Sequence, residues 1–174
     1  METIVNSLKQ ELFQDGKNTY AILDGASVDG LLTKLDQWKP EFVCLYRGEM
    51  TPDLAEVAPY LVRLDRESPF TDWMLENGWG KHWGIFAISE ADLGSIRQHF
   101  RRLLTVRDES GKPLLFRYYD PRVLRVFLPT CTEKELQEMF GTVSEYVLEG
   151  EERTGALRFK VGTAQAKKRE LLPA

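Results

Sequence analysis

Short apolar runs alternate along the chain with segments in which apolar residues recur every three to four positions. The first pattern predicts buried strands and the second predicts amphipathic helices. Five strands are predicted, at Thr19–Leu23, Phe42–Tyr46, Pro59–Leu64, Trp83–Ile88 and Leu114–Tyr118, followed by two late ones at Tyr146–Leu148 and Ala156–Val161. The pattern therefore predicts an α/β fold with a mixed sheet of about five or more strands and helices alternating along the chain.

Capping residues and prolines mark the expected helix starts. Thr51-Pro52 and Ser68-Pro69 each place a capping side chain before a proline that can occupy the first helical position. The other predicted starts are Ser27 as a cap, the capping-box pairs Ser89 with Asp92 and Thr132 with Glu135, and Pro121 as the first residue of a short helix. Gly141 is the expected stop of the helix that Thr132 and Glu135 begin.

The one plausible domain boundary lies near residue 150, and the tail from Thr163 has little core-forming material. We therefore expect one domain over residues 1–150 and a basic C-terminal extension over residues 151–174, partly strand and then a frayed or helical tail. The extension carries six Lys and Arg against three Asp and Glu, whereas residues 1–150 carry 17 against 24. The chain has a formal net charge of −4, which makes general nucleic-acid binding an unfavourable interpretation.

Composition and the terminus suggest a cytoplasmic protein. A hydrophobic fraction of 43% and a charged fraction of 29% are ordinary for a globular domain. No apolar run reaches the ~18 residues of a membrane helix, and the first residues do not resemble a secretory signal. We expect Cys44 and Cys131, which lack metal-ligand spacing, to be reduced thiols with packing roles.

The most informative segment runs from Leu114 to Thr130. Leu114, Leu115 and Phe116 are predicted to be a buried strand, and the Asp120-Pro121 pair favours a turn. This segment contains arginines and tyrosines but no nucleophile paired with a base, which indicates recognition rather than catalysis. A second recognition surface is suggested by the tryptophans near residue 79. Trp73 is expected in the core because it shares a helix face with Phe70, whereas Trp79, which follows the helix-stopping Gly78, is expected to line a groove.

These observations give a set of candidate site residues. The expected partner-binding residues are Trp79, Trp83, Arg97, Arg101, Arg117, Tyr119, Arg122 and Arg125. The expected structural residues are Asp24, Asp120 and Pro121. The alternative is a metal-dependent phosphoryl-transfer or nucleotide-binding enzyme that uses Asp24, Asp65 and Asp120, each just beyond a predicted strand. Aspartate also favours turns and helix starts, so the structural interpretation of these residues stands beside the catalytic one.

Six motifs in a fixed order resemble the type VI secretion adaptor family. They are Tyr20-Ala-Ile-Leu-Asp-Gly25, Ala58-Pro-Tyr-Leu-Val62, Asn77-Gly-Trp-Gly80, Trp83-Gly-Ile-Phe86, His99-Phe-Arg-Arg-Leu-Leu104 and Leu115-Phe-Arg-Tyr-Tyr-Asp-Pro-Arg-Val-Leu124. The resemblance runs from about residue 20 to about residue 141. It implies a bacterial cytoplasmic chaperone that binds a secreted toxin effector and loads it onto the VgrG spike. It also implies that the protein is not an enzyme and needs no cofactor. From the acidic net charge and the lack of a membrane-length apolar run, we further expect that it binds neither nucleic acid nor membrane.

Overall fold

One large sheet organises the chain in the computed structural model, which describes residues 3–163 and 167–170. In chain order the strands are β1 (Asn18–Asp24), β2 (Phe42–Cys44), β3 (Pro59–Leu64), β4 (Gly84–Ser89), β5 (Thr105–Arg107), β6 (Pro113–Leu115), β7 (Glu145–Glu149), β8 (Gly155–Lys160) and β9 (Lys167–Glu170). Seven of them form the main sheet in the order β2-β3-β1-β4-β7-β8-β9, and β5 pairs with β6 in a separate hairpin.

The helices alternate with these strands. They are α1 (Ile4–Leu12), α2 (Leu31–Trp38), α3 (Pro52–Val57), α4 (Pro69–Gly78), α5 (Leu93–Leu103), α6 (Pro121–Phe127) and α7 (Glu133–Phe140). Thr51 and Ser68 cap α3 and α4, each with a proline at the helix start, and Thr132 and Glu135 form a full capping box on α7. No helix among residues 3–163 or 167–170 combines the length and the apolar character needed to span a membrane.

Two apolar layers cover the two faces of the main sheet. Successive side chains of a strand point to opposite faces, and β1 shows this directly. Ala21 and Leu23 belong to the layer that contains α1, α2 and α4. Tyr20 and Ile22 belong to the layer that contains α5, α6 and α7. The central strands are therefore buried on both sides, which explains their nearly continuous apolar sequences.

The α/β class and the alternation of helices with strands are confirmed. Within the described residues, every pair of adjacent strands runs antiparallel, so the main sheet is antiparallel and not the expected mix of parallel and antiparallel strands. Strand β8, which follows residue 150, pairs with β7 and extends the main sheet. Part of the expected C-terminal extension is thus a component of that sheet.

A strand is present at the start of the predicted segment Leu114–Tyr118, but the expectation that Leu114–Phe116 form a buried strand is wrong. The strand β6 ends at Leu115 and pairs only with β5, which the sequence pattern did not indicate. Because this hairpin is separate from the main sheet, its apolar side chains remain accessible: Leu114 is 44% exposed and Leu115 is 53% exposed. An apolar run specifies a strand but not whether a second layer covers it.

Two predicted helix starts and the tail also differ from the structure. The hydroxyl of Ser27 donates to Asp24, and α2 begins only at Leu31. The hydroxyl of Ser89 donates to the carbonyl of Thr142, so Asp92 alone caps α5. In the tail, residues 167–170 form β9 instead of a helix, and residues 164–166 and 171–174 lie outside the described residues.

Candidate partner-binding site

One end of the main sheet gathers most of the residues singled out in the sequence. The strand β1 finishes there at Asp24, which pairs with Pro59 at the start of β3. Gly84, at the start of β4, pairs with Leu23. Because β7 runs antiparallel to β4, its last residue, Glu149, reaches the same end. We call this region the Asp24 end of the sheet, and the loops around it form the candidate site.

Asp24 is buried at this end and organises two loops. Its carboxylate accepts hydrogen bonds from the backbone N–H of Ala26 (3.1 Å) and the hydroxyl of Ser27 (2.9 Å), which fixes the turn after β1. It also accepts a hydrogen bond of 2.6 Å from the guanidinium of Arg117. That bond, opposed by partial burial, raises the pKa of Arg117. Arg117 is therefore engaged with the protein's own carboxylate, although 46% of its side chain is accessible.

Asp120 starts helix α6. Its carboxylate accepts a hydrogen bond from the backbone N–H of Arg122 (2.9 Å) and two more from the Arg122 guanidinium (3.0 and 2.8 Å). Pro121 occupies the first turn, where a missing N–H costs nothing. Burial raises the pKa of Asp120, but the hydrogen bonds and charge of Arg122 outweigh it and leave the pKa below its usual value. Aspartate and proline together set the direction of α6.

The tyrosines before α6 are both buried, which corrects the expectation that Tyr119 meets a partner. Tyr118 stacks on Phe100 with ring centroids 5.6 Å apart, and its hydroxyl donates to the Phe100 carbonyl. Tyr119 packs edge-on against Tyr118, and burial raises its pKa to about 12. Residues 118–119 form a turn rather than a strand, so the expected alternation of buried and exposed side chains does not apply.

Trp79 is a core residue, contrary to its expected place in a groove. It is 4% exposed, lies against Phe86, and donates from its indole nitrogen to the carbonyl of Arg153 (2.6 Å). Trp83 is half-buried and contacts Trp73 with ring centroids 5.2 Å apart. Trp73, expected in the core, is itself only half-buried. Trp73 and Trp83 therefore both carry accessible indole surface, as does the half-buried Trp38, which contacts Trp73.

A buried glutamate holds the loop between α4 and β4. Glu149 accepts hydrogen bonds from the backbone N–H groups of Gly80 (2.6 Å) and His82 (3.0 Å). Both donors have positive φ, 81° for Gly80 and 60° for His82, so the loop bends sharply around the carboxylate. The ring nitrogen Nδ1 of His82 also lies against Glu149. Sequence reasoning missed Glu149, because a glutamate at a strand end carries no local signal of its distant partners.

The expectation that Arg122 and Arg125 reach outward is only partly met. Arg122 is more than half exposed but is bound by Asp120, two residues away. Arg125 donates to the carbonyl of Gly150 (3.1 Å), which ties α6 to the loop between β7 and β8. Both arginines hold local structure at the Asp24 end, and each guanidinium retains donors for further contacts.

Two arginines of α5 approach the same end from the helix side. The guanidinium of Arg101 donates to the carbonyls of Cys44 (2.9 Å) and Tyr46 (3.3 Å), so α5 is bound to the loop after β2. Burial lowers the pKa of Arg101. The positive charges of Arg97, one helical turn earlier, and of Arg47, in that loop, lower it further. The sequence predicted Tyr46 as the end of a strand but did not indicate that Tyr46 and Arg47 lie near α5, because this contact joins segments far apart in the chain.

The three aspartates of the enzymatic alternative do not meet. Asp24 lies at the end of β1 next to Pro59, whereas Asp65 follows Leu64 at the opposite end of the sheet, where Leu64 pairs with Thr19. Asp65 is used locally, since its carboxylate accepts from the N–H of Glu67. Within residues 3–163 and 167–170, no three His, Cys, Asp or Glu side chains are grouped as metal ligands would be.

A comparison with protein families matches most of the chain. The family described as "Domain of unknown function (DUF4123)" matches residues 19–138, from the start of β1 into α7. The matched stretch contains Asp24, the arginines of α5 and the segment from Arg117 to Arg125. No curated protein and no solved structure matches the chain significantly.

Proposed function

We propose that this chain, which belongs to the family described as "Domain of unknown function (DUF4123)", is a non-catalytic adaptor of a bacterial type VI secretion system. In this proposal it acts as a chaperone in the cytoplasm, where it binds a secreted toxin effector and helps to load it onto the VgrG spike. Its partners are therefore two proteins. Nucleic acid, membrane and cofactor have no part in the proposed activity.

The observation that carries the proposal is the family match over residues 19–138. This stretch contains all six ordered motifs that resemble those of secretion adaptors. The resemblance itself extends a few residues beyond the match, to about residue 141. The agreement between the matched range and the motifs favours one shared fold unit rather than scattered similarities. The function assigned here to that unit comes from the resemblance.

The geometry of the Asp24 end is compatible with binding a protein. The buried carboxylates of Asp24, Asp120 and Glu149 each accept hydrogen bonds that fix a loop. Fixed loops present side chains in one arrangement, which lowers the entropy lost on association. The accessible groups at this end are arginine side chains and half-buried indoles, which are the side-chain types enriched in protein interfaces.

The enzymatic alternative lacks a comparable observation. A phosphoryl-transfer site needs its carboxylates close together around a metal ion. Asp65 lies at the opposite end of the sheet from Asp24, and Asp120 is bound by Arg122. We therefore keep the adaptor as the proposed function.

Affinity capture from the native bacterium tests the proposal. The tagged chain, expressed at its natural level, should enrich an effector toxin and a VgrG protein, identified by mass spectrometry. Deleting the gene for this chain should prevent release of that effector while other effectors are still secreted. A tagged chain that enriches neither partner, or a deletion strain that secretes every effector normally, would refute the adaptor function.

A further inference from the structure

Three arginines meet where α5 crosses the loop after β2. Arg97 and Arg101 are four residues apart and so lie on one side of α5. The bonds from Arg101 to the carbonyls of Cys44 and Tyr46 hold that side of the helix against the loop that carries Arg47. Arg97 and Arg47 each lie within electrostatic reach of Arg101. We call Arg47, Arg97 and Arg101 the arginine cluster.

No arginine of the cluster forms an ion pair with a carboxylate among the described residues. Five other arginines form ion pairs with carboxylates: Arg63 with Glu41, Arg66 with Glu67, Arg117 with Asp24, Arg122 with Asp120, and Arg158 with Glu11 and Glu145. No such pair involves a member of the cluster within residues 3–163 and 167–170. The contrast is informative because the chain is acidic overall, with 27 Asp and Glu against 23 Lys and Arg. Like charges brought together without a carboxylate repel one another.

Hydrogen bonding in the cluster is incomplete as well. The Nε atoms of Arg97 and Arg101 are buried, and neither has a hydrogen-bond partner in the part of the chain that the structure describes. Buried donors without acceptors are uncommon in folded proteins and cost stability. An anion that approaches the accessible guanidinium nitrogens would offset the repulsion, and a carboxylate matches the planar arginine fork.

We propose that the arginine cluster binds an acidic segment of the partner protein, in which aspartate or glutamate side chains meet Arg47, Arg97 and Arg101. The inference rests on the proposed function, because it names the chemistry of a partner that the adaptor is proposed to bind. A protein segment fits better than a nucleic acid. The chain carries a net charge of −4, and the cluster is too small for the long basic track that a polyanion requires.

A binding assay with defined probes tests the proposal. The probes are a fluorescent peptide of alternating glutamate and serine, the same peptide with glutamine in place of glutamate, and a short single-stranded DNA. The test variant is Arg47→Glu with Arg97→Glu, and Arg101 is left unchanged because it holds the loop to α5. The matched control is Arg102→Glu, an exposed arginine on the same helix that is outside the cluster.

The wild-type chain should bind the glutamate peptide and not the glutamine peptide. Affinity should fall about tenfold or more in the double variant, since each charged hydrogen bond contributes strongly, and should change by no more than about twofold in Arg102→Glu. Melting temperatures of all variants identify any loss of folding. Absence of glutamate-peptide binding, equal binding by the double variant, or stronger binding of the DNA would each overturn the proposal.

Capture from the native bacterium separates this inference from the proposed function. If the wild-type chain and the double variant enrich the effector and spike equally, the arginine cluster is not the contact, although the adaptor function stands. If the wild-type chain enriches neither protein but still binds the glutamate peptide, the adaptor function fails while the preference for acidic segments stands. Loss of capture in the folded double variant supports both.

Discussion

Arg117 donates a hydrogen bond of 2.6 Å to the buried carboxylate of Asp24, which precedes it by 93 residues. Asp24 ends the central strand β1, and Arg117 lies between the β5–β6 hairpin and α6. The bond therefore attaches the segment that leads into α6 to the middle of the sheet. The hydrogen bond between Arg117 and Asp24 therefore fixes the position of the segment before α6 at the Asp24 end of the sheet.

Replacing Arg117 with alanine should lower the free energy of unfolding by about 1–2 kcal/mol, because the Asp24 carboxylate stays buried and loses a charged donor. Urea unfolding of the two proteins measures the difference. The control is Arg107→Ala, whose guanidinium donates to a carbonyl in the exposed hairpin and which should change stability by less than about 0.5 kcal/mol. Equal losses in both variants would show that the Asp24 contact has no special weight.

Trp79 should behave as a core residue. Trp79→Ala removes the indole from its contact with Phe86 and should cost about 3–5 kcal/mol of unfolding free energy. Trp79→Phe keeps most of the packing but loses the bond to the Arg153 carbonyl, so about 1–2 kcal/mol is expected. Trp73→Ala, at a half-buried position, should cost less than Trp79→Ala. Thermal or chemical unfolding would contradict the assignment if Trp79→Ala were the milder change.

Local signals in the sequence were sufficient for most secondary structure. Thr132 and Glu135 specify the start of α7 through bonds within four residues, and Ser68 with Pro69 specifies the start of α4 in the same way. Such bonds depend only on neighbours along the chain, so a single sequence contains them. The apolar runs of the central strands were equally clear because both sheet faces are covered.

Contacts between distant segments were not available from the sequence. Trp79 follows Gly78, the expected helix stop, which suggested a groove position in a loop. In the structure its indole nitrogen instead donates to the carbonyl of Arg153, 74 residues later. The bond between Arg101 and the Cys44 carbonyl likewise depends on how α5 crosses the sheet. The strand order determines which distant segments contact each other, and the hydrophobic periodicity of a sequence carries no information on strand order. Asp24 could be chosen from the sequence, but its distant partner Arg117 could not, and the role of Glu149 carried no local signal.

Stability should decrease as the pH falls from 6.5 toward 4 because of His99. Burial lowers the pKa of this histidine from 6.5 to about 4, although a hydrogen bond to the Met139 carbonyl acts in the opposite direction. Between these pH values the unfolded chain binds a proton that the folded chain does not, so the unfolded state gains. The loss amounts to roughly 2–3 kcal/mol at the lower end of this range.

His99→Gln tests this dependence, since glutamine can keep a donor near the Met139 carbonyl but does not titrate. The difference in unfolding free energy between wild type and His99→Gln should change steadily from pH 6.5 to pH 4 and level off on either side. Urea unfolding at several pH values provides the curve. Parallel curves for the two proteins would exclude His99 as the source.

Asp120 and Arg122 are bound to each other, yet they should respond differently to substitution. Asp120→Ala removes the cap of α6 and should cost about 1–2 kcal/mol of unfolding free energy. Arg122→Ala removes an exposed guanidinium, and Asp120 keeps its backbone donor, so less than about 1 kcal/mol is expected.

If the Asp24 end binds the partner, Arg122→Ala or Arg125→Ala should weaken capture of the effector or spike by about 1–3 kcal/mol, as for a charged interface anchor that loses its partner. Arg125 also holds the loop at Gly150, so its variant must first show a normal melting temperature.

The matched control is Arg66→Ala, because Arg66 is a half-exposed arginine that follows β3 at the opposite end of the sheet. Titration calorimetry with the captured partner gives the affinities. Unchanged affinity in a folded Arg122→Ala and Arg125→Ala double variant would leave this segment as a folding element alone, because neither guanidinium would then contact the partner.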